Sequence, residues 1–140
     1  MNTSLDNIGK WPISGEEARK NGRLILIPKE KMLNVIHGKE NHMLVSFFIS
    51  NDIVHFGTMQ IPIRTRSDSE AHRGDEVLFV LEGTLMVETF NNKNTEDAVL
   101  RKSHRIKKGE VFFIPEGIRH RYSNFYTESV KVLFGIAPEL

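Results

Sequence analysis

Cysteine is absent from this 140-residue sequence. Without thiols the chain forms no disulfide bond, and it has no thiolate for nucleophilic or metal-binding chemistry. A transition-metal site in this protein therefore has to be built from imidazole and carboxylate groups. Six histidines and 18 acidic residues are available for such a site.

Long apolar runs are absent as well. No stretch of the sequence approaches the roughly 20 apolar residues of a membrane-spanning helix. The N-terminal sequence MNTSLDNIGKWPISGEEARK lacks the basic start and apolar core that are typical of a secretory signal. We therefore expect no membrane partner and a cytoplasmic location.

The sequence also lacks an excess of charge of either sign. Its formal net charge is +1, with 26% charged and 39% hydrophobic residues, as in an ordinary globular protein. Nucleic-acid binding favours a cationic excess, so we expect no nucleic-acid partner. A chain of this length fits one domain that buries roughly two-thirds of its unfolded surface.

Helix signals are sparse. The first ten residues are polar and lack apolar periodicity, which favours a flexible tail or an arm that orders on a partner subunit. Ser14 and Glu17 have the spacing of a capping box, and Gly22 stands where a helix would end, so residues 15–21 are predicted to form a short helix. We expect residues 1–22 to form this tail and helix, and residues 23–140 to form one domain.

Short segments rich in Ile, Leu, Val and Phe, separated by Gly, Asn, Asp and Pro, dominate the rest of the chain. The candidate strands are residues 24–27, 43–50, 53–63, 76–81, 84–90, 103–106, 110–114 and 130–136. Residues 91–97 are predicted to form a polar hairpin loop. So many strands in this length predict an all-β sandwich or barrel.

Two segments carry candidate chemistry. In the first, residues 70–83 (EAHRGDEVLFVLEG), alternate residues of an extended chain share a face, so Glu70 and His72 point the same way. Glu76 follows after the bend that Gly74 permits. The segment is therefore predicted to bring the imidazole of His72 and a carboxylate close together.

In the second segment, residues 109–124 (GEVFFIPEGIRHRYSN), an apolar strand leads into a Pro-x-Gly turn and the next strand begins at His120. The turn would fix the direction of this imidazole. Tyr122, two residues beyond His120, is placed to point inward and to donate a hydrogen bond or a proton.

Together the two segments resemble the two motifs of the cupin family. All fixed positions of the second cupin motif match, namely Gly109, Pro115, Gly117, His120 and Asn124. Three positions of the first motif match with the right spacing, namely His72, Glu76 and Gly83. The first motif departs from the family pattern at two positions, where Glu70 replaces the first His and Arg64 replaces the opening Gly.

The resemblance implies an all-β cupin double-stranded β-helix, or jelly-roll barrel, preceded by the short N-terminal helix. It also implies one divalent transition metal per chain (Mn, Fe, Zn or Ni), with His72, Glu76 and His120 as ligands. Glu70 is either a fourth ligand or a base near the metal. Two imidazoles and a carboxylate leave coordination positions open for a substrate, as catalysis requires.

Other residues have simpler interpretations. A histidine is more often a surface residue than a ligand, and we interpret His37, His42, His55 and His104 in this way. Arg64 and Arg66 share the parity of His72, so on a regular strand they would face the metal and bind an anionic group of a substrate. The alternative is that these arginines are exposed or pair with nearby carboxylates.

The function expected from these features is a metal-dependent enzyme that acts on a small polar, anionic molecule of sugar or hydroxy-acid type. It would catalyse a proton transfer, either isomerisation or elimination, with Glu70 or Tyr122 as the proton-transferring group. The alternatives are a mononuclear Fe(II) dioxygenase and a non-catalytic cupin that binds a small molecule such as a sugar. The apolar segments 43–49 and 130–136 would be hazards if left on open sheet edges, so we also expect a homodimer.

Overall fold

Two antiparallel sheets form the body of the chain in the computed structural model, which describes residues 4–91 and 99–138. The strands are β1 (Leu33–His37), β2 (Met43–Ser50), β3 (His55–Ile61), β4 (Thr65–Arg66), β5 (Asp75–Glu82), β6 (Thr84–Phe90), β7 (Leu100–Lys107), β8 (Val111–Ile114), β9 (His120–Asn124) and β10 (Val130–Ala137). The larger sheet has the order β1-β2-β3-β10-β5-β8, and the smaller has the order β4-β9-β6-β7. This confirms the expected all-β jelly-roll barrel.

The core lies between the two sheets and follows from the alternation of side chains along each strand. Alternate residues of β10 are buried, and Val80 and Val132 on neighbouring strands are inaccessible to solvent. From the smaller sheet, Leu85 and Val87 are likewise fully buried. Each such side chain stabilises the fold by roughly 1.5–3 kcal/mol through its burial.

The one α-helix among the residues that the structure describes, α1 (Gly15–Asn21), has the bounds that the sequence predicts. Ser14 caps its first turn, since its Oγ accepts a hydrogen bond from the backbone N–H of Glu17 at 3.2 Å. Gly22 ends the helix in the left-handed conformation (φ 57°), which a glycine adopts without steric cost. No helix in the part of the chain that the structure describes has the length and apolar character that crossing a membrane requires.

Residues 8–11, which precede α1, pack against the barrel and so do not form the flexible tail that was one of the two predictions for the first ten residues. A short 3-10 helix spans Ser4–Asn7. Gly9 donates its backbone N–H to Ser50 Oγ at 2.8 Å, and the backbones of Trp11 and Ser50 pair at 2.8 and 2.9 Å. Ile8 and Trp11 pack against the core. Because the sequence around these two side chains has no apolar periodicity, their packing against the core could not be predicted from it.

The predicted strands agree with the structure except at the N-terminal end. Residues 24–27 form no strand, and Leu24 and Leu26 are 97% and 92% exposed, because no neighbouring strand pairs with them. The first strand is instead β1, which the sequence did not predict and which pairs with β2. Apart from Asn91, the predicted hairpin loop 91–97 lies outside the described residues.

The open edges of the larger sheet are not formed by the two apolar segments that the sequence analysis considered. β2 lies between β1 and β3, and β10 lies between β3 and β5, so neither of the segments 43–49 and 130–136 is exposed at an edge. The edges of the larger sheet are β1 and β8. The reason given above for a homodimer is therefore wrong, although the oligomeric state itself stays a prediction.

Candidate metal centre

Backbone hydrogen bonds hold the two predicted motif segments side by side. The backbone N–H of Glu70 donates to the carbonyl of His120 at 2.8 Å, and the N–H of His120 donates back at 2.9 Å. Gly117, in the turn before β9, donates its N–H to the carbonyl of His72 at 3.0 Å. The side chains at positions 70, 72 and 120 are thus placed relative to one another by the main chain.

The side chains predicted as metal ligands converge. Glu70, His72 and His120 each offer a ligand atom, and these atoms all lie within 4.8 Å of one another. Glu76 Oε1 lies 2.8 Å from His72 Nε2 and 3.5 Å from His120 Nε2. Metal–ligand bonds of about 2.0–2.2 Å leave neighbouring ligand atoms roughly 3 Å apart, so this donor set fits one divalent transition metal.

Both imidazoles are oriented by backbone carbonyls. His72 Nδ1 lies 2.8 Å from the carbonyl oxygen of Arg73, and His120 Nδ1 lies 2.8 Å from that of Ile118. Donation from Nδ1 directs the Nε2 atom of each ring toward Glu76. Such outer contacts fix the tautomer and the ring direction of metal-binding histidines.

Glu76 is the most buried carboxylate of the group, with a side chain only 1% exposed. Burial raises the pKa of Glu76, but hydrogen bonds from His120 and His72 outweigh it and lower the pKa to about 2. Burial lowers the pKa of His72, while the hydrogen bonds to Glu76 and the Arg73 carbonyl raise it to about 9. The metal-free site therefore contains an ionised carboxylate facing a protonated imidazole at neutral pH.

Tyr122 lies behind these residues on β9. Its hydroxyl donates a short hydrogen bond to Glu76 Oε2 and lies 3.2 Å from His120 Nε2. Burial and the charge of Glu76 raise the pKa of Tyr122 well above its ordinary value. The hydroxyl consequently stays protonated and acts as a donor to the carboxylate.

His37, interpreted from the sequence as a surface residue, contacts the site. Its Nε2 lies 3.1 Å from Glu70 Oε2, at the end of β1. The hydrogen bond to Glu70 raises the pKa of His37 despite the opposing effect of burial. No sequence signal pointed to this residue, because β1 itself was not predicted.

The other histidines lie elsewhere. His55 is buried rather than on the surface, and its Nδ1 bonds to Ser50 Oγ at 2.8 Å. His104 packs on the ring of Phe112, with 5.0 Å between the ring centroids. His42 is exposed. None of these three lines the cavity described below.

The structure does not bring Arg64 and Arg66 to the site, which corrects the substrate-binding role expected for them. Arg64 lies in a turn with a φ of 57°, and this conformation breaks the strand alternation on which the expectation depended. Arg66 pairs with Glu88 at 3.4 Å and lies 4.9 Å from the centroid of the Phe125 ring. The arginine that does line the cavity is Arg119, which donates from Nη1 to the carbonyl and Oγ of Ser69 at 3.1 and 3.2 Å.

The site opens into a cavity of about 890 Å³ inside the barrel. Glu70, His72, Glu76 and Tyr122 lie in its wall. A cavity of this volume is at the upper end of the range typical of small-molecule sites. Glu70 and His72 are therefore accessible from the cavity to an organic molecule as well as to an ion, while the side chains of Glu76 and His120 are each 1% exposed.

Comparisons with known proteins agree with this arrangement. The chain is similar in fold to a predicted oxalate decarboxylase from Thermotoga maritima, with a TM-score of 0.63, 18% identity and coverage of 81% of this chain and 99% of that one. An RmlC-like cupin family protein with a double-stranded β-helix fold, from Methanocaldococcus jannaschii, matches with a TM-score of 0.58 and 12% identity, covering 82% and 94%. Fe(II)-HppE matches with a TM-score of 0.64 and 18% identity, covering 83% and 60%.

At these identities the likeness shows the fold alone. No curated protein matches the sequence. The family model described as the cupin domain matches residues 57–136, which is more than half of the chain and includes all the candidate ligands. The chain belongs to the cupin family.

Proposed function

We propose that this cupin is a metal-dependent enzyme that takes a proton from a carbon of a small hydroxy- or oxo-acid, and either returns it to the adjacent carbon in an isomerisation or expels a group from the adjacent carbon in an elimination. The observation that carries the proposal is the different setting of two carboxylates at one site. Glu76 is 1% exposed and both of its oxygens are occupied by His72 and Tyr122. Glu70 is 32% exposed and lines the cavity.

In this proposal His72, His120 and Glu76 hold one divalent transition metal per chain, with Mn, Fe, Zn and Ni as the candidates. When bound, the metal supplies a Lewis acid that polarises an oxygen of the substrate. Tyr122 is a positioning residue, because its hydroxyl donates to Glu76 Oε2 and holds that carboxylate toward the imidazoles.

Glu70 is the proposed base. Its carboxylate takes the proton from the carbon next to a carbonyl, while the electron pair of the broken C–H bond stays on the substrate. In an isomerisation Glu70 returns the proton to the former carbonyl carbon, while the hydroxyl proton on the deprotonated carbon moves to the former carbonyl oxygen. In an elimination the electron pair forms a C=C bond to the adjacent carbon that is not the carbonyl carbon, a hydroxide or another group leaves from that carbon with its bonding pair, and the proton stays on Glu70 until solvent takes it up. The hydrogen bond between Glu70 Oε2 and His37 fixes the direction of the carboxylate. The alternative role of Glu70, as a fourth ligand, predicts that Glu70→Gln loses metal.

Metal analysis is the first test. Protein purified without added metal should contain about one transition-metal ion per chain, and His120→Ala should lose it. The matched control is His42→Ala, which removes an exposed imidazole outside the cavity. A wild-type protein that binds no transition metal at micromolar concentration would leave the non-catalytic small-molecule binder as the better description.

Hydrogen exchange is the second test. Wild-type protein incubated anaerobically in D₂O with 2-hydroxy and 2-oxo acids should incorporate deuterium at the carbon next to a carbonyl group, which is C2 of the hydroxy acids and C3 of the oxo acids, as followed by NMR. Glu70→Gln should reduce the rate by a factor of about 10²–10⁴ and keep the metal. Exchange that is equally fast in this variant would contradict the assignment of the base.

A second candidate is a mononuclear Fe(II) dioxygenase. The observation that favours it is the set of two imidazoles and one carboxylate formed by His72, His120 and Glu76, which is typical of Fe(II) sites that activate oxygen. This candidate predicts a strict requirement for Fe(II) and consumption of oxygen during turnover. Anaerobic turnover with Mn(II) or Zn(II) would exclude it.

A further inference from the structure

The cavity next to the candidate metal centre is lined on one side by apolar side chains. They come from four strands of the larger sheet and are Val35, Met43, Val45, Met59, Phe134 and Ile136. All are buried, with between 4% and 7% of each residue exposed. Their arrangement follows from strand register, since Val45 lies opposite Val35 on one neighbouring strand and opposite Met59 on the other.

Phe47 extends this apolar lining next to Phe134. Phe47 and Phe134 flank Gly57, which has no side chain and is paired with both of them. The two rings therefore meet edge to face, with 5.8 Å between their centroids. Both rings line the cavity.

The two central strands of this wall, β2 and β3, offer no backbone hydrogen bonds to a ligand. β2 and β3 are interior strands, so their N–H and C=O groups point along the sheet to β1, to each other and to β10. A hydroxyl group pressed against the wall would lose its water without gaining a partner. Each such hydroxyl lowers affinity by roughly tenfold.

The lining also contains polar groups. Glu70, His72, Glu76 and Tyr122 belong to the metal centre, and Arg119 and Lys39 contribute cationic groups. The lining carboxylate of Asp68 accepts hydrogen bonds from the backbone N–H groups of residues 39–41. Arg119 is held by Ser69, the residue next to Glu70, so its guanidinium lies close to the segment that carries the candidate ligands. A carboxylate is the substrate group that suits both a divalent ion and a guanidinium.

We propose that the substrate is an amphipathic carboxylic acid, whose apolar body lies against the β1-β2-β3-β10 wall and whose oxygen-bearing head lies at the metal centre. This inference rests on the proposed function and specifies its substrate class. It favours a hydroxy- or oxo-acid with a hydrocarbon or aromatic body over a molecule of sugar type. A sugar acid would place several hydroxyl groups against side chains that cannot bond to them.

The test is isothermal titration calorimetry with butanoate, hexanoate, octanoate and gluconate, on both Zn(II)-loaded and metal-free protein. Hexanoate and gluconate are matched, since both have six carbons and one carboxylate and differ in the hydroxyl groups of gluconate. We expect affinity to rise by roughly fourfold for each added methylene, and hexanoate to bind at least tenfold more tightly than gluconate. Affinity that does not change with chain length, or tighter binding of gluconate, would overturn the inference.

A pair of variants locates the binding. Val45→Thr keeps the side-chain shape and adds one hydroxyl to the wall, so it should weaken octanoate binding by about fivefold to tenfold without changing metal content. Val77→Thr makes the same change at a position that is 43% exposed and outside the cavity, and should leave binding unchanged. Val35→Thr repeats the test on the neighbouring strand should Val45→Thr fail to fold. Equal octanoate affinities in the wall variants and the wild type would contradict the location.

Failure of the inference and failure of the proposed function give different results. If the protein binds metal but its affinity for the acids does not depend on chain length, the substrate class is wrong and the proposed function stands. If the protein binds no metal but its affinity still rises with chain length, the proposed function is wrong and the apolar wall stands as a binding surface.

Discussion

His37 Nε2 lies 3.1 Å from Glu70 Oε2 and joins β1 to the candidate metal centre. β1 precedes residues 57–136, the part of the chain that matches the cupin domain. A residue outside the matched region therefore orients a residue that the proposed reaction uses. His37→Ala should leave the metal in place and lower the rate of deuterium exchange by about tenfold, because the Glu70 carboxylate loses its partner.

The matched control for this prediction is His104→Ala, which removes an imidazole that lies on β7, away from the cavity. Exchange rates and metal content are to be measured on the same preparations. A His37→Ala variant with the wild-type rate would show that the contact has no role in proton transfer.

Tyr122→Phe tests the role of the hydroxyl that donates to Glu76. The ring stays in the core, so the fold should persist, while Glu76 loses the hydrogen bond that directs it toward His72 and His120. We expect metal affinity to fall by a factor of about 10–100, measured by competition with a chromogenic chelator. Tyr126→Phe removes a hydroxyl outside the cavity and should have no effect. Unchanged affinity in Tyr122→Phe would mean that Glu76 needs no such support.

Glu88 gives a pH-dependent prediction in the smaller sheet. Burial raises the pKa of Glu88, but hydrogen bonds from Arg121 and Ser123 outweigh it and hold the pKa below its ordinary value. Arg121 binds both carboxylate oxygens, at 3.0 and 3.1 Å. A carboxyl group whose pKa is lowered in the folded state stabilises the protein above its unfolded pKa, and this contribution is lost as the pH falls through the folded value.

Glu88→Gln should therefore lower the free energy of unfolding by about 1–3 kcal/mol at pH 7, and by less at pH 3. Urea unfolding at both pH values measures the difference. Glu110→Gln, at an exposed carboxylate, is the comparison variant. A deficit in Glu88→Gln that is as large at pH 3 as at pH 7 would contradict the assigned ionisation.

The homodimer remains a prediction, and the surface now expected to form it is the β8 edge of the larger sheet. β8 is an edge strand of the larger sheet, and its Val111 and Phe113 are 62% and 55% exposed. Exposed apolar edge strands favour association. Light scattering at micromolar concentration should give twice the 16.1 kDa chain mass, and Phe113→Glu should give the monomer. Ile53→Glu changes an exposed apolar residue in a turn and should remain dimeric. A monomeric wild type would refute the prediction.

Local patterns predicted much of this structure. Ser14, Glu17 and Gly22 gave α1 its bounds, because capping depends on neighbours in the sequence. The resemblance of two segments to the cupin motifs likewise predicted His72, Glu76 and His120 as ligands, and these side chains converge in the structure. The capping pattern acts within one short segment, whereas the convergence of the three ligands was implied by the family's fold.

Features that depend on distant partners were not predictable. Arg64 and Arg66 were assigned by strand parity, which holds only while the backbone stays extended, and Arg64 does not. Residues 24–27 have the composition of a strand but no partner strand. The contact of His37 with Glu70 depends on how β1 pairs with β2, and the apolar wall depends on register across several strands.

The reciprocal backbone hydrogen bonds between Glu70 and His120 make the spacing of the centre independent of the side chains that occupy it. A substitution at position 70 would therefore change the chemistry of one side chain while leaving the scaffold undisturbed. Glu70→His would place at this position the histidine that the cupin motif has there, and would replace the proposed base with a further nitrogen donor. In this barrel, the division between ligand and base at position 70 would thus depend on one side chain, which the main chain holds beside His120 in either case.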